Sequence, residues 1–296
     1  MRDVAEGQQK CEQPQDSEAL PLFSTTDKNG RMTMLRPGRH VGRVAPVMPW
    51  LLIACALWAM TGAVPFGALL GMAPTPAINM LLGHPVTVGL AVLLLFVAIT
   101  MTGTVYSRAV EQFGQTRVAG LLATLSVTGG LAAVAAVLLL WTLISDPSRP
   151  FDLEAIATSP TIPRELGAVV GACLALWAAI TLLRLPGSIA HARQRQSDIA
   201  RLRAEGLSYA GTLTAVTFTH SWMRNDPLFK VEVTYTVDGA PRVVSAHMRT
   251  SAERVPLVGS RMTVLTDGRG VPHVELDLAS GTAFEPNVEK YAPSDG

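Results

Sequence analysis

The sequence predicts an α-helical integral membrane protein with four transmembrane helices, followed by a small all-β cytoplasmic domain. Three observations lead to this fold class. Four long apolar runs lie between Val47 and Leu185, where charged residues nearly vanish. Charged residues supply only 16% of the whole chain, against about 25% in soluble domains. From Gly211 onward, apolar residues alternate with polar ones, which is the period of a β-strand.

The run from Val118 to Ile144 is the strongest membrane signal, because it contains no charged residue. As a helix it would extend roughly 40 Å at about 1.5 Å per residue. This length exceeds the hydrocarbon core of a bilayer, which is about 30 Å thick. We expect Pro65 to kink or end the first helix, and Pro186–Gly187 to end the fourth. The predicted transmembrane domain covers residues 46–187, with spans at 47–72, 86–106, 118–144 and 166–185.

The loops predict the orientation, because Lys and Arg favour the cytoplasmic side of short loops. Arginines precede the first span, lie in the loop 107–117 and follow the fourth span, whereas the loop 73–85 carries no charge. Both termini are therefore predicted to be cytoplasmic. Residues 1–45 are polar, without an apolar period, and are predicted to be a disordered cytoplasmic tail.

Residues 188–208 read as a basic juxtamembrane helix or linker. Such clusters attract anionic lipid headgroups by about 1 kcal/mol per basic residue. A simple topology signal is the alternative interpretation. The candidate headgroup contacts are Arg193, Arg195, Arg201 and Arg203.

Small residues mark candidate helix contacts in the spans. Gly167 and Gly171 form a GxxxG pair in the fourth span, and Gly129–Gly130 interrupt the third. Glycine lets two helix backbones approach closely, which favours packing in lipid. The pair indicates packing within the chain or, as an alternative, dimerisation.

The predicted β domain covers residues 209–278 and contains about five strands, as a small barrel or a curled sheet. Asp238–Gly239 predicts a type I′ hairpin, because both residues tolerate positive φ. A loose polar tail is expected over 279–296. The predicted strands are Thr212–Thr219, Lys230–Val237, Arg242–Met248, Arg261–Thr266 and Val271–Leu276.

A family resemblance rests on three features: Gly211 opening the first strand, VEVTYTVDG at 231–239, and VGSRMTVLTDG at 258–268. With these, the segment 205–277 resembles the small C-terminal β domain of bacterial polytopic membrane proteins, of the domain-of-unknown-function 3592 type. It departs from that pattern at Gly268, where Pro is expected, and at Thr266, where an aromatic residue is usual. The resemblance implies a β module on a bacterial membrane anchor and brings no known activity.

No motif for catalysis or for a cofactor occurs in the sequence. His273 and Glu275 face the same side of one predicted strand. Two ligands are too few for a metal site, which needs three or four. The three cysteines form no CxxC pair, and no strongly basic face suggests nucleic acid. We therefore predict no metal, no cofactor and no nucleic-acid partner.

One loop, 220–227, places Trp222, Met223 and Arg224 among polar neighbours. Exposed aromatic residues often anchor a protein partner or the bilayer surface, so these three are the candidate contact residues. Alternatively, Trp222 folds back over the end of the sheet.

The leading hypothesis is a non-enzymatic, multi-pass protein of a bacterial inner (plasma) membrane, whose β module binds a protein partner or lipid headgroups. Homo-oligomerisation stays open. The alternative is a small oligomeric channel or transporter, although ion-coupled transporters usually carry titratable residues inside their spans. A membrane enzyme would require titratable groups such as His84 and His191 to meet in a pocket.

Overall fold

The chain divides into two compact units in the computed structural model. The helical unit comprises Asp27–Arg201, and the β unit comprises Met1–Thr26 together with Leu202–Gly296. The structure describes residues 20–25, 33–34, 42–70, 85–146, 152, 164–223, 226–268, 270–285 and 288–291.

Four helices are long and apolar enough to cross a membrane within these residues, as the sequence predicts. They are α1 (Met48–Leu69), α2 (Pro85–Phe113), α3 (Thr116–Ser145) and α4 (Arg164–Glu205). Their large apolar side chains lie on the surface of the helical unit, as in Phe96 at 67% exposure. An apolar surface of this kind is stable in a bilayer, because lipid tails are as apolar as the side chains that face them.

Helix α2 extends beyond the predicted end of its span, through residues that include an Arg108–Glu111 ion pair. It ends at Gly114, whose φ of 64° is in the left-handed region. The Gly114 amide donates to the Val110 carbonyl at 2.8 Å. This glycine is a typical helix C-terminus, because residues other than glycine adopt that conformation at a cost.

The prediction that Pro186–Gly187 end the fourth span is wrong. Helix α4 continues through them to Glu205, so residues 188–205 are not a separate helix. Every described side chain at 171, 174, 178, 181, 185, 188, 192, 195 and 199 is at least partly buried, whereas Pro186 is exposed. This alternation of three and four residues is the repeat of a packed helical seam. Pro186 lies outside this seam, on an exposed part of the helix surface, and it removes one backbone hydrogen bond without ending the helix. Pro65 likewise lies inside α1.

Glycine positions lie at close contacts between the helices. A Cβ at Gly130 would meet the Cys55 carbonyl and, at 2.8 Å, the Trp58 Cβ of α1. A Cβ at Gly167 would lie 3.0 Å from the Leu69 carbonyl, and one at Gly171 would lie 2.9 Å from the Ala135 Cβ. Dimerisation through this pair stays a prediction.

The β unit is a six-stranded antiparallel sheet in the order β1-β4-β3-β2-β5-β6. Strands β1 and β6, at the two ends of this order, contact each other, so the sheet is nearly closed into a barrel. Phe229, Val231 and Met248 are among its fully buried core side chains. The strands are β1 (Leu22–Thr25), β2 (Leu207–Met223), β3 (Asp226–Val237), β4 (Ala240–Arg249), β5 (Arg261–Thr266) and β6 (His273–Leu276).

The Asp238–Gly239 hairpin is confirmed, since both residues have positive φ, at 52° and 79°. Strand β2 is longer than the predicted Thr212–Thr219. It begins one residue after Gly206, which follows α4, and it pairs with both β3 and β5. Two register shifts along its pairing with β3 accompany this length. Such irregularities bend a strand and let one strand serve both halves of a curled sheet.

The predicted disorder of residues 1–45 is wrong for β1, which pairs with β4 in the register Leu22↔Arg249 to Thr25↔Ala246. Phe23 lies in the barrel core. The loose tail predicted over 279–296 is also wrong where the structure describes it. Phe284 bridges to Pro256, and Tyr291 is buried in the same core. Both segments are polar on average. A few apolar side chains are nevertheless enough to dock them, because these side chains pack into the core of the barrel.

Candidate functional site

The outer face of β2, β5 and β6 carries the polar site of the β unit. Strand alternation turns Val264 and Val274 into the core, and their neighbours Thr263 and Glu275 therefore face outward as a cross-strand pair. His273 and Glu275 lie on the same face, as the sequence predicts, because they are two residues apart on β6.

Glu275 is the centre of this cluster. Its Oε1 accepts a hydrogen bond from Arg203 Nε at 2.6 Å and contacts His273 Nε2 at 3.1 Å. Burial alone would raise the pKa of the Glu275 carboxyl. The hydrogen bond with His273, and the charge and hydrogen bond of Arg203, outweigh burial and lower this pKa to about 2. The carboxylate is therefore ionised at neutral pH and is a fixed hydrogen-bond acceptor.

His273 is buried, with 2% of its surface exposed. We assign its Nε2 as the donor to Glu275, since an ionised carboxylate only accepts. Its Nδ1 is buried without a hydrogen-bond partner within the described part of the chain. The geometry therefore makes His273 a rigid positioning group for Glu275.

An open groove of about 400 Å³ runs along the outer face of β2 and β5. It offers hydroxyl groups, one guanidinium and one carboxylate, which suit an extended polar segment. Asp277 at one end accepts a hydrogen bond from the Ala279 amide at 3.1 Å, which fixes its carboxylate. The outward-facing lining residues are Ser208, Ala210, Thr212, Arg261, Thr263 and Asp277.

Comparisons with protein-family models, with curated proteins and with solved structures find no match.

The candidate contact residues of the loop 220–227 are partly engaged within the β unit. Trp222 Nε1 donates to the Tyr291 carbonyl at 3.0 Å, and its ring meets Phe218 edge-on at 5.3 Å. Met223 Sδ accepts a hydrogen bond from Arg249 at 3.4 Å. Trp222 therefore folds back over the sheet end while 36% of its surface stays exposed. Arg224 lies outside the described residues.

The four juxtamembrane arginines do not act as one free cluster. Arg203 binds Glu275, and Arg193 Nε donates to the Gly42 carbonyl at 2.9 Å. Arg195 and Arg201 each have a contact of their own. Headgroup binding by this set as a whole stays a prediction.

No group of three or more His, Cys, Asp or Glu side chains that could hold a metal occurs within the described ranges. For the enzyme hypothesis, His84 lies outside those ranges, and His191 is half-buried with a contact of its own. The alternation of His273 and Glu275 was visible in the sequence. Their cation, Arg203, was not, because 72 residues separate it from Glu275.

Proposed function

We propose that this chain is a non-enzymatic protein of a bacterial inner membrane that presents its β unit on the cytoplasmic face as a binding module for a protein partner. The groove on β2 and β5 carries the proposal, together with the Arg203–Glu275–His273 cluster on the adjoining strand. Both lie outside a core that is already filled, so a partner could use them without unfolding the barrel.

The pairing of β1 with β4 supports placing both ends of the chain on one side of the membrane. Strand β1 precedes α1 and β4 follows α4, yet they are neighbours in one sheet. A sheet cannot form across a bilayer, so an even number of crossings must separate the two strands. Four spans satisfy this condition. The arginine-rich flanks favour the cytoplasm as the shared side.

The chemistry of the site favours binding over catalysis. Glu275 stays ionised at neutral pH, and its hydrogen bonds hold it in place, so it is a poor proton donor. The groove is open and offers donors and acceptors along two strands, as in surfaces that accommodate a polar peptide segment.

Site-specific photocrosslinking of the full-length protein in native membranes tests the proposed binding surface. A photoreactive residue at Thr212, in the groove, should give a discrete protein adduct. A photoreactive residue at Thr236 is the matched control, because it is an exposed threonine outside the groove. Equal adducts at both positions, or no protein adduct at Thr212, would contradict the proposal. A C-terminal green fluorescent protein fusion should fluoresce if the β unit is cytoplasmic.

The channel alternative is tested by solute flux into liposomes. The polar side chains that it would need are bonded inside the helical unit, since Trp58 Nε1 donates to Thr102 Oγ1 at 2.9 Å. Thr102 and Ser126 also donate to carbonyls of their own helices. These contacts support a packing role, and flux above protein-free liposomes would reverse that conclusion.

A further inference from the structure

A second groove, of about 300 Å³, lies in the helical unit along one face of α4. Its lining is apolar except at one end, where a single arginine stands. The spacing of three or four residues places all its members on one side of the helix. They are Leu182, Leu185, Pro186, Ile189, Ala190 and Arg193.

Arg193 is held in place by backbone rather than by a carboxylate. Its Nε donates to the Gly42 carbonyl at 2.9 Å. Gly42 has a φ of 94°, and a Cβ there would lie 2.9 Å from Gln196 Oε1 and 3.2 Å from Arg193 Cγ. The chain therefore packs closely over the arginine, and this fixes the direction of the guanidinium. The two terminal nitrogens of Arg193 have no hydrogen-bond partner within the described residues.

Arg43 adds a second positive charge, because it directly follows the residue that holds Arg193. Its side chain is exposed and forms no ion pair with any carboxylate that the structure describes. Arg43 thus brings a second cation to within one residue of the carbonyl that Arg193 binds. An anion at this point would be bound by charge and by the planar N–H fork of Arg193.

Contacts within the helical unit indicate how deep in the membrane Arg193 and the groove would lie. The Gly42 amide donates to the Gln112 carbonyl at 2.7 Å, which places Arg193 beside the C-terminal end of α2. One turn earlier, Arg108 lies over the Trp50 ring at 5.9 Å. Tryptophan and arginine are typical of the membrane–water interface, so Arg193 lies at headgroup level.

The apolar part of the groove then lies in the acyl layer of the same leaflet. Leu182 and Arg193 are eleven residues apart, or about 16 Å along the helix axis. This is about half of a hydrocarbon core of ~30 Å, and therefore about the depth of one leaflet. A lipid can place its chain along the groove while its phosphate meets Arg193.

We propose that this groove is a binding site for an anionic phospholipid. One acyl chain lies along Leu182–Ala190, and the phosphate accepts hydrogen bonds from the terminal nitrogens of Arg193, with Arg43 as the second cation. A phospholipid is the ligand that fits this groove. The apolar lining faces the bilayer and suits an acyl chain, and the positively charged Arg193 at one end suits a phosphate. This site does not depend on the partner proposed for the β unit.

Native mass spectrometry of the full-length protein, titrated with phosphatidylglycerol or with phosphatidylcholine, tests the site. We expect tighter retention of phosphatidylglycerol. Retention should weaken about fivefold in Arg193→Gln and in Arg43→Gln, since each removes one cation near the headgroup. Ile189→Trp should weaken the retention of both lipids by filling the groove. Arg242→Gln is the control, because Arg242 is an exposed arginine on β4, outside the groove.

Equal retention of the two lipids by the native chain would overturn the proposal. So would unchanged retention in both Arg43→Gln and Ile189→Trp, or an equal loss in Arg242→Gln. Arg43→Gln guards against misfolding, because the Arg43 side chain makes no hydrogen bond in the described structure. Inorganic phosphate at millimolar concentration should leave the bound phosphatidylglycerol in place. Its displacement by phosphate alone would show a site for free anions and would also overturn the proposal.

Discussion

Replacing Phe23 by alanine should release strand β1 from the barrel and leave the other five strands folded. Phe23 is 4% exposed and belongs to the core of the β unit. Strand β1 has four residues and pairs through a ladder on one side only, with β4. The attachment of β1 to the barrel therefore depends on only a few side chains and on its hydrogen bonds to β4.

The balance for docking β1 is small. Burying Leu22 and Phe23 contributes about 2–3 kcal/mol each, and the hydrogen bonds to β4 add about 1 kcal/mol each. Ordering four residues costs about 4–8 kcal/mol. The net free energy of docking is therefore a few kcal/mol. Truncating a buried phenylalanine costs about 3–5 kcal/mol, which is enough to make the undocked strand the major species.

Hydrogen exchange of the full-length protein in detergent, read by mass spectrometry, distinguishes undocking from unfolding. In Phe23→Ala, amides of residues 22–25 and of their β4 partners, 246–249, should exchange at least about tenfold faster. Residues 207–213 should keep their protection, because they pair with β3 and β5. Val243→Ala is the control, since 63% of Val243 is exposed on β4. Unchanged exchange in 246–249, or equal acceleration in all strands, would refute the reasoning.

Three further predictions address helix packing and the two titrating groups. Gly130→Ala should destabilise the helical unit by about 1–3 kcal/mol, because the added Cβ would meet the backbone of α1. Gly129→Ala is the control, since its Cβ would meet only atoms 3.8 Å or more away. The monodisperse fraction of each variant after heating reports the difference. The folded-state pKa of Glu275 is about 2 against an ordinary 4.5, so its stabilisation is complete above pH 4.5 and is lost as the pH falls towards 2. Glu275→Gln should flatten the pH dependence of exchange in the β unit over that window, and a profile as steep as in the native protein would contradict this. Burial, and secondarily the charge of Lys230, lower the pKa of His247. Lys230→Gln should raise that pKa but leave it below its ordinary value, as measured by deuterium exchange at the imidazole C2; an unchanged value would show that burial acts alone.

Local patterns along the chain were enough to predict the four helices and the β-strand character of the C-terminal region. A run such as 118–144 has one stable outcome in lipid, because backbone groups must bond within their own segment. Alternation over 230–237 and the Asp238–Gly239 turn were equally decisive, since strand period and positive φ are local properties. The shared face of His273 and Glu275 follows from the same period.

The features that join distant segments depend on tertiary contacts, which no local pattern predicts. Nothing local marks Leu22–Thr25 as a strand; the segment becomes one because β4 offers an unpaired edge and the core has room for Phe23. Helix α4 passes through Pro186 although the proline removes one backbone hydrogen bond, and the local pattern did not predict this. The partners of Glu275 and Arg193 lie 72 and 151 residues away in the chain. A local pattern cannot encode such pairs, because their energy arises only when folding excludes water from between them.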